Sequence, residues 1–110
     1  MKEKKKNKRL IAKFLGYTWE EQNGKTYWFY KNCPHAMDFK LFNFYNWKTI
    51  NEIILEIKEQ GFNFYNIKDE SDCYIACFYN TTLDFTISSK KSYKKATYKA
   101  ILVYLKYKKK

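Results

Sequence analysis

The spacing of apolar and polar positions changes several times along the chain, and each change predicts an element. In "RLIAKFLG" (9–16), Leu10, Ile11, Phe14 and Leu15 recur at helical spacing and Gly16 suits a C-terminal cap, which predicts a short helix behind a basic lead. "YTWEEQNGKTYWFY" (17–30) places aromatic positions on either side of Asn23-Gly24, a pair that tolerates the positive φ of a tight turn, and so predicts a hairpin. Residues 31–45 keep no period and include Pro34, which makes them a connecting loop, though an aromatic one. "NWKTINEIILEIKEQG" (46–61) opens on a capping Asn46, sets Ile50, Ile53, Ile54 and Ile57 on one face and stops at Gly61, as an amphipathic helix does. Three short runs follow, "FNFYNIK" (62–68), "CYIACFY" (73–79) and "LDFTIS" (83–88), separated by the polar turns "DESD" and "NTT". They read as an antiparallel meander. Alternation puts Cys73, Ile75, Cys77 and Tyr79 on one face and Tyr74, Ala76 and Phe78 on the other, so both faces are expected to be covered. A last helix starts near Ser92 and runs to about Tyr107.

The order α-ββ-α-βββ-α predicts an α+β fold in which an antiparallel sheet of about five strands is layered with three helices. With 110 residues, 45% hydrophobic and 21% aromatic, the chain has material for one core, and folding at this size removes roughly two thirds of the unfolded surface from water. No repeat or linker interrupts it. The expectation is a single domain over residues 9–107, a basic arm at 1–8 and a basic tail at 108–110.

Charge sharpens this picture through its distribution. The net charge is +11, yet Arg9 is the sole arginine among 22 basic residues, and Gly and Pro are scarce, as AT-rich coding alone would produce. The total therefore says less than the layout. Residues 1–13 carry +6, residues 14–89 carry −4 and residues 90–110 carry +9, so two basic ends flank an acidic middle. Brought together, the ends would make one positive face. No run of 18 apolar residues is present to span a membrane, and the charged start lacks the form of a secretory signal. The expected compartment is cytoplasmic, in which three cysteines are reduced thiols.

Three stretches together, "FLGYTWEEQNGKTYWF", "NWKTINEIILEIKEQGFNF" and "KKATYKAILVYL", resemble the phage ABA sandwich domain of small bacteriophage proteins over residues 10–106. The resemblance implies an α-β-α layered fold and a phage or prophage origin, and it brings no catalytic residues. Residues 47–106 also have the α-β-β-β-α order of a double-stranded RNA-binding domain, and "SKKSYKKATYKA" is similar to the lysine cluster that opens its last helix. The turn that such a domain would bring to a minor groove is here acidic, with Asp69, Glu70 and Asp72.

The chemistry on offer is that of binding. His35 is the only histidine, and no nucleophile elbow or glycine-rich phosphate loop occurs, so the chain reads as non-enzymatic. Cys33, His35, Cys73 and Cys77 would make a four-ligand set. In a straight strand, however, Cys73 and Cys77 stand about 13 Å apart at ~3.3 Å per residue, too far to share one zinc, and no metal or cofactor is expected. Lys91, Lys95 and Lys99 recur every four residues with Lys94 beside them, a row suited to phosphates or simply to water. Lys4, Lys5, Lys6, Lys8 and Arg9 of the N-terminal arm would extend it. Having almost no arginine, such a surface would read phosphates and not guanine edges. A protein partner would instead meet the acidic helix face of Glu52, Glu56 and Glu59, or the loop aromatics Phe39, Phe42 and Phe44.

The resemblance, with the small size and the lack of catalytic groups, implies a phage-type protein that acts by stoichiometric binding, and its phage context implies an inhibitor whose partner is a host defence complex of protein, or of protein and nucleic acid. The alternative is a sequence-independent nucleic-acid-binding module built on the last helix. A third is a structural homo-oligomer joined through the apolar part of "AILVYL".

Overall fold

A computed structural model describes residues 5–30, 37–38 and 44–109. Lys4, Cys33, His35, Phe39 and Phe42 lie outside the described residues. The architecture is α+β, and the described residues form three helices and six antiparallel strands: α1 (Lys5–Phe14), β1 (Tyr17–Gln22), β2 (Lys25–Tyr30), β3 (Met37–Asp38), α2 (Trp47–Glu59), β4 (Asn63–Lys68), β5 (Tyr74–Tyr79), β6 (Asp84–Ser89) and α3 (Tyr93–Lys109). The strands form two three-stranded sheets, β1-β2-β3 and β4-β5-β6. The chain divides into two compact units, Met1–Phe44 and Tyr45–Lys110, although no linker composition marks the join.

In the first unit α1 packs beside β1. It begins four residues ahead of the expected helix at residue 9, because its basic lead is itself helical. Ile11 and Ala12 are fully buried. The hairpin turns at Asn23 (φ 52°) and Gly24 (φ 76°), both in the left-handed region that a two-residue turn of this type requires. Register follows from that turn, with Gln22 opposite Lys25 and Tyr17 opposite Tyr30. The expected loop contains the two-residue strand β3, whose Met37 and Asp38 pair with Trp28 and Tyr27. Two residues carry no alternation that a periodicity reading could detect.

The second unit is built around β5. Asn46 caps α2 by accepting the Thr49 N–H at 2.9 Å, and Ile50, Ile53, Ile54 and Ile57 form the buried stripe. The helix ends where Gly61 adopts φ 96°, a conformation open to glycine at no cost. In the sheet β4 pairs with β5 and β5 with β6, so Phe64, Phe78 and Phe85 lie in one row on one face. The helix α3 covers that face. Tyr104 sits over the row, its ring 5.1 Å from Phe62, 6.3 Å from Phe78 and 5.9 Å from Phe85. A buried Thr97 donates to Asn66 Oδ1 at 3.1 Å, tying helix to sheet.

The opposite face carries Tyr65, Ile67 and Tyr79, each more than a third exposed, so the expectation of two covered faces holds for the α3 side. Cys77 is nonetheless fully buried on this outer face, receiving the Thr86 hydroxyl at 3.2 Å. Cys73 and Cys77 are both free thiols.

Helical spacing sets Ala96, Ala100, Val103 and Tyr104 on the sheet side of α3, but Val103 is 38% exposed, which corrects its assignment, while Tyr98, Leu102 and Leu105 on the other side are buried in the core. The helix α2 packs along α3, and the Tyr45 ring meets Tyr98 edge-on at 5.0 Å. At about 100° per residue, the buried positions of α3 therefore sweep roughly two thirds of its circumference. Lys95, Lys99, Lys106 and Val103 share the strip left to solvent.

A cationic and aromatic candidate site on the second unit

The start of α3 is placed by two serines. Ser89, buried at the end of β6, accepts the Lys91 N–H at 3.1 Å, and Ser92 accepts the Lys95 N–H at 3.0 Å as the N-cap. These bonds set the bend from strand to helix, so Lys91 lies just before the helix and Lys94, Lys95 and Lys99 lie on it. Lys91 and Lys99 are exposed, and Lys94 and Lys95 partly so. Among the described residues no carboxylate lies within ion-pair distance of Lys91, Lys95 or Lys99, in contrast to Arg9, which pairs with Glu21, and Lys68, which pairs with Asp72. Their mutual repulsion is felt at the central member. Lys91 first, then partial burial, then Lys99 lower the Lys95 ammonium below the ordinary lysine range.

Beside this row lies an open groove of about 610 Å³, lined by Trp47, Tyr74, Lys91, Ser92, Tyr93 and Lys94. Three separate elements supply its rings: Trp47 begins α2 next to its cap, Tyr74 begins β5 and Tyr93 begins α3. Tyr93 supports Tyr74 edge-on at 4.7 Å, while Trp47 is 43% exposed. Cations already touch nearby ring faces, with Lys68 Nζ 5.2 Å from the Tyr74 centroid and Lys94 Nζ 4.5 Å from that of Tyr45. Among the described residues, none that lines the groove is acidic.

The neighbouring turn at 69–72 is acidic, but two of its three carboxylates are engaged. Asp69 Oδ1 accepts from the Ser71 N–H at 2.9 Å, the Ser71 hydroxyl at 2.8 Å and the Cys73 N–H at 2.9 Å. Those bonds, the Cys73 N–H foremost, hold its carboxyl below the usual range. Asp72, at φ 61°, pairs with Lys68 at 3.7 Å.

The other expected site residues are distributed elsewhere. Lys6, Lys8 and Arg9 lie on α1, as does Lys5, in the first unit. Arg9 is committed locally, its Nη2 lying 3.4 Å from Glu21 Oε1. Glu52, Glu56 and Glu59 are all exposed on α2, opposite the isoleucine stripe. Phe44 is 4% exposed, with its ring edge-on to Tyr17 at 5.9 Å. Sequence reasoning found the lysines and missed Trp47, Tyr74 and Tyr93 as a group, because nothing local links a helix start, a strand start and a second helix start. Among the described residues no cluster of His, Cys, Asp and Glu could hold a metal ion, and no helix is long and apolar enough to cross a membrane. No family model, curated protein or solved structure matches the chain.

Proposed function

We propose that the protein is a non-enzymatic binder that holds nucleic acid through its phosphates, without regard to base sequence, using Lys91, Lys94, Lys95 and Lys99. One observation carries this reading: Lys91, Lys95 and Lys99 are crowded into a row with no acidic partner among the described residues. A merely solvated face gains nothing from such crowding, and a polyanion relieves it by replacing repulsion with attraction. The sole arginine is paired with Glu21, so the bidentate guanine contact is not on offer from it. An inhibitory role against a host defence complex, as the phage resemblance implies, fits the same chemistry, since a protein that occupies phosphates acts stoichiometrically. The exposed Glu52, Glu56 and Glu59, with Leu55 at 61% exposure, supply the surface for the protein part of such a partner.

The test is a fluorescence-anisotropy titration of the whole chain against labelled oligonucleotides of several unrelated sequences, at about 50 and 200 mM salt. Binding that weakens steeply with salt and varies little among sequences is expected. No binding at the lower salt, or a marked preference for one sequence, would overturn the proposal.

A further inference from the structure

We infer that the groove beside the lysine row seats unpaired bases, so that the nucleic acid this protein prefers is single-stranded. The inference rests on the phosphate-binding reading and deepens it. A strand with free bases presents two chemistries side by side, a polyanionic backbone and planar rings with apolar faces. The second unit presents the complement of both in one place, with rings and lysines lining one groove.

The groove, at about 610 Å³, is shallow and largely open to solvent, as a surface on which a base stacks would be. Its wall has three rings, and Trp47 leaves 43% of its surface to solvent at the position where an indole is least needed for the core. The stripe of Ile50, Ile53, Ile54 and Ile57 already anchors α2, and Trp47 stands outside it at the first turn. Tyr74 packs edge-on against Tyr93, 73° between planes, so one ring of the wall buttresses another. Lys91 and Lys94 line the same groove, and Lys95 and Lys99 continue away from it along α3. A base stacked on the exposed Trp47 lies in the groove that Lys91 and Lys94 line, so its backbone can reach their ammonium groups and continue along the row.

A duplex offers the same phosphates but keeps its bases stacked on one another, so the rings would receive nothing. An acidic peptide satisfies the lysines and likewise leaves the rings idle. The aromatic wall therefore distinguishes the single strand from both, because every base has a π-face and stacking is tolerant of sequence.

The experiment uses the full chain with labelled oligothymidylate, oligouridylate and a duplex of equal length, and polyglutamate as competitor. Trp47→Leu keeps apolar bulk and removes the aromatic face, whereas Trp47→Phe keeps a ring; circular dichroism checks the fold of each. Wild type is expected to favour the single strands. Trp47→Leu should weaken single-strand binding roughly 5- to 150-fold, as loss of one stacked base does, and change duplex binding little. Trp47→Phe should retain most of the affinity. Tryptophan fluorescence should be quenched by unlabelled strand in wild type and not in Trp47→Phe, which leaves Trp19 and Trp28 in place. That quenching decides the matter if Trp47→Leu fails to fold. Equal binding of duplex and single strand, equal displacement by polyglutamate, or quenching that survives in Trp47→Phe would sink the inference while leaving phosphate binding intact. No binding to any nucleic acid would remove both. Oligothymidylate and oligouridylate separate DNA from RNA as the source of the strand.

Discussion

Neutralising Lys91, Lys95 and Lys99 together with glutamine should lower nucleic-acid affinity without lowering stability, and both signs follow from the geometry. The three ammonium groups have no carboxylate partner among the described residues, so their removal costs no ion pair. The lowered Lys95 pKa has a definite sign. A lysine whose folded pKa is depressed disfavours folding while it is charged, and that penalty fades as pH rises through the folded pKa; at neutral pH it is present in full and glutamine abolishes it. On the binding side, each lost phosphate contact removes about 0.7 from the logarithmic salt slope on a single strand and about 0.9 on a duplex. Three contacts amount to about 2 and 2.7. Over a fourfold rise in salt, a slope change of about 2 is roughly a twentyfold difference in affinity that wild type should lose and the variant should keep. Anisotropy titrations at four salt concentrations, with a thermal melt of each protein, measure both quantities. A variant that binds more weakly by the same factor at every salt, or one whose Tm falls by several degrees, would refute the argument, because the lysines would then be structural.

Two further predictions concern the scaffold that holds the site. Tyr104→Phe removes the hydroxyl that donates to Gln60 Oε1 but leaves the ring among Phe62, Phe78 and Phe85, so thermal unfolding should show a loss of about 1 kcal/mol. Asp69 has a folded pKa below its unfolded value, so its contribution is present above the unfolded pKa and disappears as pH falls through the folded one. In an acid titration followed by circular dichroism, Asp69→Ala should be less stable than wild type near neutrality and the difference should shrink at the acid end; a constant gap at all pH values would show that the turn bonds are not the cause.

Most of the second unit was legible in the chain because its signals are local. Asn46, Ser92 and the Ile50–Ile57 stripe predicted helix starts and a buried face, and all three serve as expected. The polar turns "DESD" and "NTT" predicted the meander, and Asp69 and Asn80 organise them by accepting backbone N–H groups. The failures have a common source. Val103 was placed by helical spacing on the sheet side, but a helix packed by both α2 and the sheet is buried round most of its circumference, so spacing no longer distinguishes the inner face. The strand β3 escaped because two residues have no period, and its pairing with Tyr27 and Trp28 is a matter of register across the chain.

The amino-acid order by itself determined the helices, the hairpin, the meander and the lysine row, because capping, turn conformation and hydrophobic period act over a few neighbouring residues. Only the tertiary structure decided that Arg9 is tied to Glu21, that Asp69 turns into its own loop, that Phe44 is buried, and that Trp47, Tyr74 and Tyr93 meet beside Lys91 and Lys94. Those outcomes depend on which residues distant in the chain become neighbours, and that is set by sheet register and by the packing of α3 across the sheet, which no short window of sequence contains.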